Sequence, residues 1–292
     1  LFPGCRKQGF FLTLGISADY YAISNPHNMK KLFSTLTILA VMASANANAQ
    51  QLERQYCNPL PMEIGPGGNA SGDVTVLKYQ DKYYMYCTGG GAWVSSDMVN
   101  WKSEHVEHVS RIPVAPDVAE YNGKFYMFTT YLSSVTNHRG CTILKSDSPM
   151  GPFVEITDGH ITPKDWDSID GTFYVDKNGD PWMVFVHEWT STDEGIGRMA
   201  AARMADDLTM LVSEPIDLFG AMDAPWATRG VTDGCWMYRT KDGRLLMIWS
   251  SFSKLEYCEA ISYSDNDSIF GNWFHDERLL FEKNGGHGMI FK

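Results

Sequence analysis

One short pattern recurs four times along this chain and constrains its fold more than any other feature. Each copy is a turn followed by an aromatic or aliphatic strand that carries a methionine at the same place. The copies read DKYYMY at 81–86, GKFYMF at 123–128, GDPWMVF at 179–185 and GRLLMIW at 243–249. Aligned at Lys82, Lys124, Asp180 and Arg244, they lie 42, 56 and 64 residues apart. The chain therefore repeats one structural unit.

A second pattern follows each copy and predicts a tight turn. It places an aspartate at Asp97, Asp147, Asp206 and Asp265, with a serine before it in three of the four copies. Asp or Ser side chains in such turns satisfy nearby backbone amides. After residue 50 no long stretch shows a 3.6-residue apolar period, so the fold is nearly all β. Several strands per unit at this spacing are typical of a β-propeller, whose radial blades leave only short edges. An all-β sandwich is the alternative, but it gives no reason for the repeat.

Composition excludes several classes of function. Of the 292 residues, 44% are hydrophobic and 20% are charged, which supplies enough apolar material for a full core. The formal net charge is −11 and no basic run interrupts it, so we expect no nucleic acid partner. Only one long apolar run is present, which excludes a polytopic membrane protein. A neutral or cationic partner is expected.

The apolar run predicts export. Lys30 and Lys31 precede an apolar stretch over 32–42, and small residues then end at Ala47-Asn48-Ala49. This order is that of a signal peptide over 29–49, and the stretch is too short to span a membrane. Because the signal starts at the internal Met29, residues 1–28 are expected to be translated upstream sequence outside the fold. The mature propeller domain is then 50–292, in the periplasm or secreted.

The cysteines of the mature chain point to neither a zinc site nor a disulfide framework. They are odd in number and lack C-x-x-C spacing. The pattern permits one disulfide bridge without identifying its partners. The five are Cys57, Cys87, Cys141, Cys235 and Cys258.

An aspartate precedes each repeat strand at a similar distance. Asp73, Asp117, Asp170 and Asp233 stand 9, 7, 10 and 11 residues before the aligned positions. A single aspartate of this kind is usually a turn or cap residue. Four at one phase of a propeller repeat are expected to converge at one mouth of the central channel. Such a cluster suits either acid–base chemistry or a calcium ion.

Converging carboxylates repel one another, which raises the pKa of at least one and leaves another ionised. Glycoside hydrolysis requires one protonated acid at the leaving oxygen and one carboxylate that activates water. Tryptophans near these segments are candidate platforms for sugar rings, although any single one is more often a core residue. They are Trp93, Trp166, Trp189, Trp226 and Trp236, of which Trp189, Trp226 and Trp236 are the predicted substrate contacts.

The ordered motifs resemble glycoside hydrolase family 43, the five-bladed propeller enzymes that act on arabinan and xylan. The matching segments are 72–74, 114–118, 169–173, 231–235 and 285–289, and the resemblance covers 60–292. It implies that Asp73 is the general base, Asp170 tunes pKa values and orients, and Asp233 occupies the general-acid position. It also implies that Asp117 is structural or lines the pocket, where we count it among the substrate-binding candidates. His287 matches the family's axial histidine, near a metal ion or water in the channel.

Two positions depart from the family pattern. The usual acid motif is Glu-Gly-Pro, whereas this chain has Asp233-Gly234-Cys235, and Val74 follows Asp73 where proline is usual. The shorter acid leaves other acidic residues as candidate proton donors. They are Glu188, Glu214 and Asp223.

The sequence therefore predicts a five-bladed β-propeller whose fifth blade begins at Gly285 and is cut short at Lys292. The predicted function is an exported inverting glycosidase of the arabinofuranosidase, xylosidase or arabinanase type. We expect that no cofactor is required, and the central channel is a candidate site for a structural calcium ion. A carbohydrate-binding propeller without catalysis is the alternative, and a calcium-stabilised scaffold for a protein partner is a third hypothesis.

Overall fold

Each repeat unit forms one antiparallel sheet of four strands paired in chain order, as expected of a propeller blade. A computed structural model describes residues 72–107, 111–254 and 256–291. The predictions for residues 1–28, for the signal peptide and for Cys57 lie outside the described residues. Within the described part of the chain, no helix is long and apolar enough to cross a membrane.

The strands follow one another without crossovers. Blade 1 contains β1 (Thr75–Tyr79), β2 (Lys82–Tyr86), β3 (Gly91–Ser95) and β4 (Lys102–His105). Blade 2 contains β5 (Asp117–Tyr121), β6 (Lys124–Leu132), β7 (Arg139–Ser146) and β8 (Val154–Glu155). Blade 3 contains β9 (Ser168–Val175), β10 (Pro181–His187), β11 (Arg198–Arg203) and β12 (Ile216–Gly220), then a 3-10 turn at Ala221–Asp223. Blade 4 contains β13 (Asp233–Arg239), β14 (Leu245–Phe252), β15 (Tyr257–Ser264) and β16 (Trp273–Phe281).

The prediction of five blades is wrong: the described residues form four. No strand is present over 282–291, where the fifth blade was expected to begin. The backbone there binds side chains instead of a strand ladder, because His287 N donates to Ser250 Oγ at 2.8 Å and Gly288 N donates to Glu259 Oε1 at 2.6 Å. Residues 285–291 thus form an irregular segment, which we call the closing segment.

The closing segment lies between blade 4 and blade 1. Trp236 of β13 donates its indole N–H to Ile290 O at 3.1 Å, and Val76 N of β1 lies 2.8 Å from Met289 Sδ. The first strands of the blades contact in succession, β1 with β5, β5 with β9, and β9 with β13. The closing segment therefore occupies the remaining gap between the inner strands of blades 4 and 1.

The hydrophobic cores lie between neighbouring blades. Side chains alternate across a strand, so in β6 Phe125 and Met127 pack toward blade 1 while Tyr126 and Phe128 pack toward blade 3. The repeated methionines all point to the preceding side of their blades and are buried, which explains why the sequence repeats them. They are Met85, Met127, Met183 and Met247.

The predicted turns are present, and Asp or Ser side chains accept their backbone amides; in blades 2 and 3 the acceptors are Ser146 Oγ and Asp207 Oδ1. Asp97 Oδ1 accepts hydrogen bonds from the backbone N–H groups of Val99 and Asn100 at 2.9 and 2.8 Å. Asp265 Oδ1 accepts one from Asn272 N at 2.9 Å. The cysteines at 87, 141, 235 and 258 are buried and free, so the described residues contain no disulfide.

Candidate active site

The first strand of each blade begins on the same face of the propeller, and this places the aspartates together. Asp73 lies two residues before β1, Asp117 and Asp233 begin β5 and β13, and Asp170 is the third residue of β9. Because the strands within each blade alternate in direction, the second strands end and the third strands begin on this face too. We call it the site face.

His287 of the closing segment joins two of the carboxylates. Its Nδ1 lies 3.3 Å from Asp73 Oδ1 and 3.6 Å from Asp170 Oδ2. Its backbone is fixed by the hydrogen bond to Ser250 Oγ of β14. The closing segment thus supplies the side chain that lies between blade 1 and blade 3 at the centre of the site.

The backbone is strained at these positions. Asp73, Asp170 and His287 have φ values of +54°, +56° and +56°, in the left-handed region that non-glycine residues rarely occupy. Register shifts in β9–β10 and β13–β14 coincide with Asp170 and Asp233. Such bulges redirect side chains and recur beside active sites, as does backbone strain.

Gly234 shows why the residue after Asp233 is glycine. Its φ is +58°, and a Cβ there would lie 2.6 Å from the backbone Cα of His287. Its N–H donates to Asp170 Oδ2 at 2.8 Å. The glycine therefore lets blade 4 approach both His287 and Asp170, which brings Asp233 into the cluster.

Asp170 is the enclosed member of the cluster. Its side chain is 9% exposed, compared with 38% for Asp73. Burial raises the pKa of Asp170, while His287 and the Gly234 N–H favour its charged form. Its position between Asp73 and Asp233 lets its charge act on both neighbours.

Asp233 has the properties of a proton donor. Burial raises its pKa to about 7, and the negative charge of Asp170 adds to the shift. Tyr257 at the start of β15 donates its hydroxyl to Asp233 Oδ2 at 3.0 Å, which opposes that rise. Asp233 is therefore protonated below about pH 7, where an exposed aspartate is ionised.

Asp73 has the properties of a base. Its side chain is more exposed than that of Asp170, and Thr88 donates its hydroxyl to Oδ2 at 2.8 Å. Thr88 in turn accepts the Ala115 N–H at 2.7 Å, which orients that hydroxyl toward Asp73. A carboxylate that is held in place and open to solvent is suited to activate a water molecule.

Asp117 lies deeper, and its contacts are internal. It is 3% exposed, and its two oxygens accept hydrogen bonds from Thr75 Oγ1 at 3.1 Å and Phe173 N at 2.7 Å. It therefore ties β1 and β9 to β5. Burial raises its pKa to about 6. These contacts favour the structural one of its two expected roles.

The alternative proton donors differ in placement. Glu188 is buried on the site face directly after β10, and burial raises its pKa. However, Arg139 Nη2 lies 2.5 Å from Glu188 Oε2 and favours its charged form. Glu214 is exposed between β11 and β12, on the face opposite the site. Asp223 is exposed at the perimeter of blade 3, where its Oδ2 accepts a hydrogen bond from Gly220 N at 2.7 Å. Asp233 fits the donor position best.

Of the five candidate tryptophans, only Trp93 is fully buried. Trp93 lies in the core of blade 1, and Trp226 packs at a tilt against Trp249 between blades 3 and 4, with ring centres 4.8 Å apart. Trp236 lines the channel and binds Ile290 O. Trp166 is half-buried and stacks on His187 at 3.7 Å. Trp189 is half-buried on the site face, beside Glu188.

The sequence analysis did not predict two residues of the site, Arg139 and Tyr257. Each begins the third strand of its blade, β7 and β15, and so lies on the site face. They could have been found as the aspartates were, by comparing equivalent positions of the four repeats, in this case the first residues of the third strands. The repeat does not single them out, because the third strands begin with three different residue types: glycine at 91, arginine at 139 and 198, and tyrosine at 257.

The sequence predictions of His287 as a metal-site residue and of a calcium ion in the channel stay predictions. Among residues 72–107, 111–254 and 256–291, no group of three or more His, Cys, Asp or Glu side chains is arranged to hold a metal ion. Both oxygens of Asp117 already accept protein hydrogen bonds, which leaves them poorly suited to calcium. His287 Nδ1 faces two carboxylates.

The mouth of this propeller holds a carboxyl group whose pKa burial raises to about 7, a half-exposed second carboxyl group and a buried third one, and this set defines a class of protein. This is the arrangement with which glycoside hydrolases transfer protons to and from a glycosidic bond. The comparisons with known proteins agree with that class.

The family model described as Glycosyl hydrolases family 43 matches residues 68–291, and the chain belongs to this family. Among solved structures, the chain is similar to an endo-arabinase from Bacteroides thetaiotaomicron, with 36% identity and a TM-score of 0.70 over 75% of this chain and 84% of that one. An endo-1,4-beta-xylanase from the same organism shares the fold, with 24% identity and a TM-score of 0.62 over 76% and 80%. The resemblance found in the sequence is confirmed.

A curated relative gives a more distant match. It is the extracellular exo-alpha-(1->5)-L-arabinofuranosidase ArbA of Cellvibrio japonicus, 25% identical over 160 residues. That match covers 47% of this chain and 44% of the relative, so the chain spans less than half the length of that protein.

Proposed function

We propose that this chain is an inverting glycosidase that hydrolyses arabinofuranosyl or xylosyl linkages of plant polysaccharides. The observation that carries the proposal is the contrast between Asp233, whose pKa burial raises to about 7, and the half-exposed Asp73. Both stand around Asp170 and His287 at the mouth of the channel. The pentose substrate is supported by the printed activities of similar proteins, an endo-arabinase and an arabinofuranosidase.

In the proposed mechanism Asp73 removes a proton from water, and that water attacks the anomeric carbon. Asp233 gives its proton to the leaving oxygen, so the C–O bond breaks as the new one forms. Asp170 holds Asp233 in its protonated form through its negative charge and positions it through Gly234. Inversion requires about 6.5–9.5 Å between the two carboxyl groups, and retention about 5–5.5 Å. Because Asp233 is one methylene shorter than glutamate, we expect the wider spacing.

A substrate panel tests the activity. The protein is incubated with an aryl α-L-arabinofuranoside, an aryl β-D-xyloside and debranched arabinan, and released sugar is measured. Turnover of at least one substrate is expected, with the first-formed sugar in the inverted configuration by NMR. Binding without turnover on all three supports the carbohydrate-binding alternative instead, and a retained configuration contradicts the roles given to Asp73 and Asp233.

Export belongs to the same proposal, since polysaccharide substrates lie outside the cell. It rests on the basic, apolar and small-residue order of 29–49 and on the extracellular description of the curated relative. N-terminal sequencing of the exported protein is expected to begin at Gln50. Recovery of the chain only from the cytoplasm with residues 29–49 intact contradicts export.

A further inference from the structure

A second cavity on the site face opens over blade 4, beside Tyr257, whose hydroxyl binds Asp233. It has a volume of about 540 Å³, within the range of pockets that hold drug-sized ligands. It lies where β14 ends at Phe252 and β15 begins at Tyr257, the residue that binds Asp233. Its lining includes Arg229, Phe252, Lys254, Glu256, Tyr257 and Asn284.

Three of these side chains form a continuous wall from the rim of the cavity to the carboxyl group. The guanidinium carbon of Arg229 lies 4.3 Å from the ring centre of Phe252. The Phe252 and Tyr257 rings meet edge to face, with centres 5.2 Å apart. The Tyr257 hydroxyl then donates to Asp233. We call these three residues the aromatic wall.

The wall is held by the backbone and does not belong to the cores. Thr228 donates both its N–H and its hydroxyl to Phe252 O, at 2.8 and 3.1 Å. Phe252 is absent from the buried clusters between the blades. The Phe252 ring lines the cavity outside these cores, and the face that Arg229 does not cover is available to a ligand.

We infer that this cavity binds the sugar units on the leaving-group side of the scissile bond. The inference rests on the proposed function, because a general acid must stand beside the leaving oxygen. Tyr257 links the acid to the cavity, so the cavity continues from the leaving oxygen outward. A neutral sugar chain presents apolar ring faces and hydroxyls, which match one aromatic face rimmed by arginine, lysine, glutamate and asparagine.

The wall would therefore select for substrates that extend beyond the leaving oxygen. An aryl pentoside has no sugar there, while a linear oligosaccharide has one or more. Loss of Phe252 or Arg229 should weaken the oligosaccharide reaction more than the aryl reaction. The ratio of the two specificity constants isolates this effect, since it does not depend on the fraction of correctly folded enzyme.

The test compares wild type with Phe252→Ala and Arg229→Ala on linear arabino-oligosaccharides and xylo-oligosaccharides of two to six units, and on the matching aryl pentosides. The ratio of kcat/KM for the longest cleaved oligosaccharide to that for the aryl pentoside is expected to fall about tenfold in each variant, the effect of about 1.4 kcal/mol. Phe274→Ala and Arg278→Ala on β16 are the matched controls, because both side chains are exposed on the same blade away from the cavity. Their ratios are expected to stay within about twofold of wild type.

An unchanged ratio in Phe252→Ala and Arg229→Ala overturns the inference while leaving the glycosidase proposal intact. If the wild type hydrolyses none of these substrates, the proposed function fails instead. In that case calorimetric titration with the same oligosaccharides decides the cavity: weaker binding by Arg229→Ala than by Arg278→Ala supports it, and equal binding overturns it.

Discussion

At the scale of single residues, the chemistry depends on how the neighbours of Asp233 set its pKa. Burial and the charge of Asp170 raise it, and the hydroxyl of Tyr257 lowers it. The sequence predicted the three aspartates from their phase in the repeat, but not Tyr257. A hydrogen bond between side chains 24 positions apart depends on register and strand direction, which the repeat spacing alone does not define.

Removing the Tyr257 hydroxyl should move the alkaline limb of the pH profile. Tyr257→Phe keeps the ring but removes the donor that favours the charged form of Asp233, so the pKa of Asp233 rises further. Activity, which requires protonated Asp233, is then expected to persist to higher pH than in the wild type. The pH dependence of kcat/KM measures this, and a limb that is unmoved or moved to lower pH contradicts the acid role of Asp233. Tyr263→Phe is the control, since Tyr263 is exposed near the opposite end of the same strand, β15.

Asp117 should make stability depend on pH. Burial raises its folded-state pKa from 3.8 to about 6, so its stabilising contribution is full below about pH 4 and is lost as pH rises through about 6. Asp117→Asn cannot titrate at this position. Between pH 4 and 8 the free energy of unfolding of the wild type is therefore expected to fall relative to the variant, by about 2 to 3 kcal/mol. Parallel denaturant titrations measure the difference, and a constant difference across this range contradicts the assigned burial effect.

At the scale of elements, the site depends on short irregular pieces set against regular strands. The bulges at Asp170 and Asp233 and the closing segment bring together groups from different blades. The sequence predicted the strands well, because aromatic and methionine alternation marks a blade. It failed for 285–291, where the glycines and methionine resembled the start of another blade. The side chains of Ser250 and Glu259 accept hydrogen bonds from the backbone N–H groups of that segment. These partners are distant in the sequence, so no local pattern predicts them.

Gly234→Ala should damage the site more than the fold. A Cβ at this position would meet the backbone of His287 at 2.6 Å, so the two segments must separate. The variant is expected to lose activity by at least about 100-fold, because small displacements of catalytic groups are that costly. Gly243→Ala is the control: its φ is also positive, at +93°, but its Cβ would meet nothing within 4 Å. Assays of kcat/KM alongside melting curves compare the two, and equal losses of activity contradict the close approach.

At the scale of the whole molecule, the blades are joined by cores that each belong to two neighbours. One buried cluster lies between blades 1 and 2, a second between blades 2 and 3, and a third between blades 3 and 4. The sequence predicted this radial architecture from its period, but it gave one blade too many. The difference arises at 285–291, which has the glycines and methionine of a blade start but contacts the inner strands of blades 4 and 1 as an irregular segment.

Shared cores should make the described propeller unfold cooperatively. Met127→Ala and Met247→Ala each empty a buried site in a different core and are expected to cost about 2–5 kcal/mol. Both should lower the melting temperature of the same single transition, whether it is followed by tryptophan fluorescence or by circular dichroism. Separate transitions, with only one shifted by each variant, contradict the coupling between blades.

The roles of Asp73 as base and Asp233 as acid are tested most directly by two variants, Asp233→Asn and Asp73→Asn. For each variant, the hydrolysis rate is compared between a substrate with a good leaving group and one with a poor leaving group. In Asp233→Asn, hydrolysis of a dinitrophenyl pentoside is expected to be largely spared while hydrolysis of arabinan or xylan oligosaccharides is lost, because a good leaving group departs without a proton. In Asp73→Asn, both reactions should be lost, because no water is activated. If Asp233→Asn reduces both substrates by the same factor, Asp233 is not the general acid, and the proton must come from another carboxyl group such as Glu188.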